Sequence, residues 1–365
     1  MKLLELTRSY YPSVGGMEKY VHERTKIYER LSIEYFVLAT SYSSGKKNAT
    51  IENKNVKLLC QLTPYNIVPT LPFYLKDEYD VVSVNMLGRF FSDYAILHYR
   101  NRRQKLLLTP YFAYHTDRLW QFKKSIEKYL FPKLLKIVDA LIVFSEYEKQ
   151  FWIQHFGLNP EIIFVIPPYV ENYDISIIDY VFQNRISDPY LLYVGRTGEN
   201  KKTDLLLKAF VNSTQLKHNL YLTIRVDDVD PVIRECVQKD ARIRFLGYVN
   251  EDEKNRYIKY SDGVVFPTSW ESFGYVAFEA SMWNKPLLCS NLPVLKELLS
   301  PEGVIWFENT VEDLTNVLNA FECLTIQERT EMGKANKNNL TKFSFECSVR
   351  QYEYMFNRIL SSSKA

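Results

Sequence analysis

Residues 266–280, FPTSWESFGYVAFEA, indicate how this chain folds. They follow an apolar run that predicts a buried strand ending at Phe266, and they lead into a helical pattern that begins near Gly274. A strand that passes through a short turn into a helix is the repeating step of a doubly wound α/β sheet. Loops beyond the carboxyl ends of such strands commonly bind ligands, so the segment predicts the place of a site as well as a fold class.

The same alternation of strand and helix patterns runs along most of the 365 residues. Strands are predicted at 3–6, 35–39, 56–60, 81–84, 105–109, 140–144 and 162–166, and again at 190–194, 221–226, 243–246, 263–266, 286–289 and 304–307. Helices are predicted at 17–31, 119–137, 146–155, 202–212, 250–260, 275–283, 293–299, 311–322, 326–338 and 345–360. Because this alternation produces parallel sheets with right-handed crossovers, we expect two doubly wound α/β domains that face each other across a cleft.

A double proline, Pro167 and Pro168, divides the two sets of strands. Proline ends a preceding helix, and the periodicity weakens from this point to about Asp188. We therefore expect a first domain at 1–170, a linker at 171–189 and a second domain at 190–344.

Composition excludes several classes of protein. The 46 Lys and Arg residues nearly balance the 43 Asp and Glu residues, so nucleic acid is not an expected partner. Five cysteines without a C-x-x-C pair argue against a zinc knuckle or a disulfide framework and fit a reducing cytoplasm. The first residues lack the apolar run of a signal peptide, and no stretch approaches the roughly 18 apolar residues that span a bilayer. A cytoplasmic location is expected.

The segment 117–137 combines five lysines with aromatic and aliphatic residues. A basic amphipathic helix of this kind could rest on an anionic membrane surface, which would suit a lipid-linked substrate and a peripheral membrane location. The alternative is a solvated helix that packs its apolar side on the sheet, and Pro132 favours this alternative because it breaks the helix.

The segment 266–280 carries two carboxylates beside a predicted helix start. The backbone N–H groups of Tyr275 and Val276 would point out of the helix and form an anion site suited to a diphosphate. Glu271 on the loop and Glu279 on the helix would accept hydrogen bonds from hydroxyl groups, such as those of a sugar and a ribose. Two solvated glutamates near a helix start are the alternative.

A second candidate segment is 191–204, LLYVGRTGENKKTD, in which a buried strand again leads to a turn and a helix. Arg196 and Lys201 lie on the predicted loop, where a planar guanidinium and an ammonium group can neutralise a pyrophosphate. A P-loop would require Gly at 200 and Ser or Thr at 202, and the chain has Asn200 and Lys202. Ordinary surface charge is the alternative.

A pair of glycines, Gly15 and Gly16, follows the first predicted strand and opens a helix. Glycine lets the backbone approach a ligand closely. The pair is not the G-x-G-x-x-G fingerprint of dinucleotide binding, and a tight turn is the alternative.

A metal site is the competing interpretation of another acidic pair. Asp228 and Asp230 form a D-x-D sequence after a predicted strand, and such a pair can bind a metal ion that holds a nucleotide diphosphate. Arg196 and Lys201 would supply that neutralisation without a metal, and D-x-D is common in acidic loops. No metal is expected, and a metal-dependent enzyme that uses Asp228 and Asp230 stays as an alternative.

Together, three of these segments resemble glycosyltransferase family 4, whose members have the GT-B architecture. The family motifs G-G-x-E, V-G-R-x4-K and E-x7-E occur here in order at 15–18, 194–201 and 271–279. The resemblance implies two Rossmann-like domains, with a C-terminal helix at 345–365 that returns to the first. It also implies a retaining, metal-independent transferase without a cofactor. The donor would be a UDP- or GDP-linked sugar and the acceptor a glycan or a lipid-linked molecule.

The resemblance also assigns roles to residues. Arg196 and Lys201 would hold the donor diphosphate, Glu271 the donor-sugar hydroxyls and Glu279 the ribose. The remaining donor contacts would come from the backbone of Gly15, Gly16, Gly274, Tyr275 and Val276. His115 would lie beside the anomeric carbon and aid the transition state.

The chain departs from the family pattern at two places in the predicted second domain. Residues 226–228, Val-Asp-Asp, replace a G-D-G sequence, and Val226 does not readily adopt the backbone angles of glycine. Asn284 replaces the Gly of G-K-P, and asparagine tolerates positive φ. The change at 226–228 leaves a second function as an alternative, that of a non-catalytic sugar-nucleotide or glycan-binding subunit. An epimerase or phosphorylase on the same fold is a third alternative.

Overall fold

Two parallel β-sheets organise the chain in the computed structural model, which describes residues 1–11, 15–42, 54–61, 67–111, 130–171 and 188–361. The chain divides into two units, Met1–Tyr169 with Phe345–Ala365, and Val170–Ser344. His115, most of the predicted linker and the first part of the helix predicted at 119–137 lie outside the described residues.

The sheet of the first unit has seven strands in the order β3-β2-β1-β4-β5-β6-β7, and all neighbours are parallel. Its central strands are buried apolar runs because helices cover both faces of a parallel sheet. The strands are β1 (Lys2–Thr7), β2 (Glu34–Tyr42), β3 (Val56–Gln61), β4 (Val81–Asn85), β5 (Lys105–Thr109), β6 (Ala140–Val143) and β7 (Ile163–Val165). The helices include α1 (Gly16–Arg30), α2 (Phe90–Tyr99) and α3 (Glu146–Phe156).

The final helix of the chain belongs to the first unit. It spans Phe345–Ser361, is labelled α11 here, and buries an apolar stripe that includes Tyr352 and Phe356. The hydroxyl groups of Tyr352 and Tyr20 on α1 are 2.6 Å apart. The ring of Phe356 packs near the ring of Tyr28 with centroids 6.3 Å apart. Buried aromatic side chains therefore fix α11 against α1.

The sheet of the second unit has six parallel strands in the order β10-β9-β8-β11-β12-β13. The strands are β8 (Tyr190–Tyr193), β9 (Asn219–Leu222), β10 (Ile243–Phe245), β11 (Gly263–Phe266), β12 (Leu287–Ser290) and β13 (Val304–Phe307). The helices are α4 (Thr203–Asn212), α5 (Pro231–Val237), α6 (Glu251–Tyr260), α7 (Tyr275–Met282), α8 (Pro293–Leu298), α9 (Val311–Cys323) and α10 (Ile326–Asn339). The prediction of two doubly wound parallel α/β sheets is confirmed.

The local backbone conformation accommodates both departures from the family pattern. The strand predicted at 221–226 ends at Leu222, and Val226–Asp228 form a 3₁₀ turn in which the Asp228 carboxylate accepts the N–H of Arg225 at 3.3 Å. Val226 therefore needs no positive φ. Asn284 has a φ of 55°, so the prediction that it keeps the backbone conformation of a glycine is confirmed.

None of the helices in the described ranges combines the length and the apolar character that crossing a bilayer requires.

Candidate functional site

The direction of chain progression reverses between two neighbouring strands of the second sheet. β8 leads outward to β9 and β10 on one side, whereas β11 leads to β12 and β13 on the other. The connections that follow β8 and β11 therefore run to opposite sides of the sheet, and doubly wound sheets bind ligands in the crevice at such a switch point. These two loops carry the V-G-R-x4-K and E-x7-E segments.

The loop after β8 presents two basic side chains. Arg196 is exposed, and its guanidinium forms no hydrogen bond or ion pair within the described residues. Its backbone carbonyl accepts a hydrogen bond from the Tyr193 hydroxyl at 2.8 Å, which ties the loop to β8. The loop continues through a 3₁₀ turn, Glu199–Lys201, and Lys202 then takes a left-handed conformation with φ 46°.

Lys201 and Glu271 bring the two loops together. The Lys201 ammonium forms an ion pair with Oε1 of Glu271, and the side chains are only 27% and 13% exposed. The ammonium also lies 5.7 Å from the centroid of the Phe266 ring. The structure therefore joins two residues that the sequence placed 70 positions apart in separate motifs.

Helix α7 begins beside Glu271. Gly274 precedes it with φ 87°, and a side chain there would be strained and would lie 3.2 Å from both Leu295 and Phe266. Tyr275 and Val276 occupy the first turn, where backbone N–H groups point out of the helix and favour an anion. The local geometry fits the predicted anion site.

Glu279 has a different environment from Glu271. It is 4% exposed, and its Oε2 lies 3.0 Å from Nζ of Lys254 on α6. Lys254 is also 2.7 Å from a carboxylate oxygen of Glu251. Nothing in the acidic start of α6 singles out Lys254, so its contact with Glu279 was not predicted from the sequence.

The glycine pair lies at the start of α1 in the first unit. Gly15 precedes the helix in an extended conformation, with φ 168°, and Gly16 is its first residue. The carboxylate of Glu18 occupies the space that a side chain at Gly15 would need, and it accepts a hydrogen bond from Ser9. The contact with Glu18 provides a local reason for Gly15.

The acidic pair Asp228 and Asp230 is engaged locally. Asp228 accepts a hydrogen bond from the Tyr248 hydroxyl at 2.8 Å, and Asp230 caps α5 by accepting the N–H of Val232 at 2.9 Å. Across the described ranges, no three or more His, Cys, Asp or Glu side chains cluster as a metal site would require. The two carboxylates therefore serve as caps and partners of neighbouring groups.

Family comparisons agree with the motifs. A model described as Glycosyltransferase Family 4 matches residues 14–172, and one described as Glycosyl transferases group 1 matches residues 177–339. An uncharacterized 41.2 kDa protein in the cps region of Klebsiella pneumoniae is 26% identical over 278 residues, which are 74% of this chain and 75% of that protein.

Solved structures share the fold over the whole chain. Sucrose-phosphate synthase from Thermosynechococcus elongatus covers 100% of both chains with a TM-score of 0.80 and 16% identity. The Anabaena protein HepE, in complex with UDP and glucose, covers 98% of this chain and 100% of its own with a TM-score of 0.77 and 17% identity. At these identities the likeness supports the fold alone.

The two doubly wound sheets and the two matched family models define a glycosyltransferase of the GT-B fold. The chain belongs to glycosyltransferase family 4, so the family predicted from its three motifs is confirmed.

Proposed function

We propose that this glycosyltransferase moves a hexose from a nucleotide-diphosphate sugar to a glycan or lipid-linked acceptor with retention of configuration and without a metal ion. The observation that carries the proposal is the Lys201–Glu271 pair at the switch point of the second sheet, next to Arg196 and the first turn of α7. In the proposal, this crevice holds the donor.

The charges of the site suit the departure of a diphosphate. When the bond between the anomeric carbon and the phosphate oxygen breaks, negative charge grows on the diphosphate. The Arg196 guanidinium and the Lys201 ammonium can stabilise that charge from one loop, and the N–H groups at the start of α7 can do so from the other. The Lys201 ammonium, which is paired with Glu271, and the N–H groups of α7 are held in place before the reaction, so their reorganisation costs little.

The environment of Glu271 favours a role in positioning over one as a nucleophile. Its carboxylate is already paired with Lys201, and such pairing lowers the reactivity of a nucleophile. A carboxylate oxygen can still accept hydrogen bonds from donor-sugar hydroxyls. The acceptor oxygen would then bond to the anomeric carbon on the face that the diphosphate leaves, and the acceptor proton would pass to a donor phosphate oxygen.

The choice of donor and acceptor rests on different observations. HepE was solved with UDP and glucose, which makes a UDP-linked hexose the first donor to test, with GDP-linked sugars next. Residues 1–170 contain 23 Lys and Arg against 16 Asp and Glu, which favours an anionic lipid-linked acceptor at a membrane surface over a neutral one. Peripheral association on the cytoplasmic side is part of the proposal.

A second candidate is a non-catalytic sugar-nucleotide or glycan-binding subunit. The observation that favours it is the altered segment Val226–Asp228, in which Asp228 is engaged by Tyr248. Both candidates bind a ligand, but only the first produces a new glycosidic bond.

A thermal-shift screen against UDP, GDP, ADP and their sugars, with and without EDTA, tests the donor site. A ligand that binds the folded state raises the melting temperature. We expect one nucleotide to do so, in the presence of EDTA, and the shift to vanish in Arg196→Ala but persist in Lys239→Ala, whose side chain is 77% exposed. A shift that EDTA abolishes would favour a metal at Asp228 and Asp230.

Product analysis separates the two candidate functions. Incubation with the stabilising nucleotide sugar and an acceptor extract should yield a glycoside whose anomeric proton, observed by NMR, keeps the donor configuration. Binding without turnover in the presence of acceptor would favour the subunit, and an inverted product would contradict the proposed mechanism.

A further inference from the structure

Thr268 lies between the two loops of the candidate site and is completely buried. It follows β11 by two residues and precedes Glu271 by three. Its side-chain hydroxyl is within hydrogen-bond distance of groups on both loops. Its backbone N–H and carbonyl bond to residues at the ends of neighbouring strands.

The backbone of Thr268 is held by a closed ring of hydrogen bonds. Its N–H donates to the hydroxyl of Ser290 at 2.8 Å, and that hydroxyl donates to Oδ1 of Asn309 at 2.8 Å. Nδ2 of Asn309 then donates to the carbonyl of Thr268 at 2.9 Å. Ser290 ends β12 and Asn309 follows β13, so the ring fixes Thr268 to the carboxyl edge of three neighbouring strands.

The side chain of Thr268 faces the two loops that carry the ion pair. Its hydroxyl lies 2.9 Å from the carbonyl of Trp270, 3.1 Å from the carbonyl of Asn200 and 3.4 Å from Oε1 of Glu271. The carbonyl of Asn200 also accepts the N–H of Ser269 at 2.8 Å. Asn200 directly precedes Lys201, so one buried hydroxyl contacts both of the loops that carry the Lys201–Glu271 pair.

We propose that Thr268 is a positioning residue that sets the Lys201–Glu271 pair for the donor, with Ser290 and Asn309 fixing its backbone. This inference rests on the proposed function. The hydroxyl has one proton, which the carbonyls of Asn200 and Trp270 share. Without it, the two loops stay joined at Asn200 through Ser269, but the buried hydroxyl beside Glu271 no longer fixes their relative position. The cost falls on the geometry of the pair, because the ring through Ser290 and Asn309 uses only the backbone of Thr268 and stays intact.

A matched pair of variants tests the role of the hydroxyl. Thr268→Val keeps the shape of the side chain and removes the hydroxyl, whereas Thr268→Ser keeps the hydroxyl and removes a methyl group. The first readout is trace acetylation of lysine amines by acetic anhydride, measured by peptide mass spectrometry. The labelling rate of Lys201 is divided by that of Lys239, an exposed lysine of the same unit.

The labelling readout decides the positioning role without any substrate. We expect the Lys201 ratio to rise at least threefold in Thr268→Val, because the amine leaves Glu271, and to stay at the wild-type value in Thr268→Ser. An unchanged ratio in Thr268→Val would overturn the proposal. An equal rise in both variants would also overturn it, because the methyl group and not the hydroxyl would then hold the pair.

Turnover of the nucleotide sugar supplies the second readout. We expect kcat/KM to fall about tenfold in Thr268→Val and by less than twofold in Thr268→Ser. Unchanged turnover in Thr268→Val despite faster labelling would overturn the functional part of the proposal. A wild-type protein that turns over no nucleotide sugar would count against the proposed function, while the labelling ratio would still decide whether Thr268 positions the pair.

Discussion

The ammonium group of Lys254 lies 3.0 Å from the carboxylate of Glu279, with side chains only 13% and 5% exposed. Removing one partner of a buried ion pair takes a favourable interaction away from a charge that stays buried. We therefore expect Lys254→Met to lower the free energy of unfolding by about 3 kcal/mol, measured by urea denaturation. The double variant Lys254→Met/Glu279→Leu should recover most of that loss, because it removes both charges.

Lys239→Met is the matched control for this prediction. Lys239 lies 4.0 Å from Glu235, and both side chains are largely exposed, so the loss should stay below about 0.5 kcal/mol. Equal losses in Lys254→Met and Lys239→Met would contradict a stabilising role for the buried pair. Because the family resemblance assigns Glu279 to the donor ribose, Lys254→Met should also weaken nucleotide binding.

The backbone at Gly274 gives a prediction that separates folding from binding. Gly274→Ala should cost about 1–2 kcal/mol for a left-handed conformation, and more because its methyl group would press on Leu295 and Phe266. The strain acts at the start of α7, so the nucleotide-induced rise in melting temperature should shrink as well. Urea denaturation and the thermal-shift assay measure the two effects.

Gly157 provides the control for Gly274. It has φ 63° and ends α3 in the first unit, and among the described residues no heavy atom lies within 4 Å of the position that an alanine methyl group would take. Gly157→Ala should therefore show the left-handed cost of about 1–2 kcal/mol alone, with nucleotide binding unchanged. If both variants lose nucleotide binding equally, the start of α7 has no special role in binding.

The sequence was most informative where one physical signal dominated. Apolar runs such as 105–109 and 263–266 have the bounds of the observed strands, because strands buried on both faces admit few polar residues. Helix α2 was missed because its sequence, FFSDYAILHY, is apolar almost throughout and shows no clear amphipathic period. Helix α5 was missed because it is short and follows an acidic turn.

Site prediction had a different limit. The positions of Arg196 and Glu271 on loops after strands follow from the order of strands and helices. The pairing of Glu271 with Lys201 and of Glu279 with Lys254 depends on side-chain directions across separate elements, which no local pattern encodes. Thr268 was missed for the same reason, because its role depends on distant residues such as Asn309.

The partly buried ammonium group of Lys285, which donates a hydrogen bond to the carbonyl of Ser261 at 2.8 Å, predicts a pH dependence of stability. Burial lowers the pKa of Lys285 to about 8, Asp262 opposes that shift, and Lys259 adds to it. The pKa of a lysine in the unfolded chain is about 10.4. At a pH between the two pKa values, the unfolded chain therefore binds more protons than the folded one. The contribution of Lys285 to the free energy of unfolding therefore rises as the pH increases through this window.

Comparison with Lys285→Met isolates this contribution. Between pH 7.5 and 9.5, the free energy of unfolding of the wild type should rise by about 2 kcal/mol relative to that of Lys285→Met, measured by urea denaturation at each pH. Lys334→Met, at a side chain 58% exposed, should stay parallel to the wild type. A difference between wild type and Lys285→Met that is constant with pH would show that Lys285 titrates at its ordinary value.

The hydroxyl pair of Tyr20 and Tyr352 predicts how strongly α11 is fixed to the first unit. The oxygen atoms are 2.6 Å apart, and both side chains are buried, so Tyr352→Phe removes one partner from a buried hydrogen bond. We expect a loss of about 1–2 kcal/mol in the free energy of unfolding. Tyr20→Phe/Tyr352→Phe should lose less than the sum of the single variants, because no hydroxyl is then left without its partner.

The exposed Tyr354 on the same helix is the control for this cycle. The residue is 59% exposed and its hydroxyl accepts a hydrogen bond from Arg358 at 3.2 Å, so Tyr354→Phe should change stability by less than about 0.5 kcal/mol. Additive losses in the Tyr20 and Tyr352 cycle would mean that the two hydroxyl groups do not interact energetically. The apolar stripe around Phe356 would then account for the attachment of α11, and Phe356→Ala should produce the larger loss, about 3 kcal/mol.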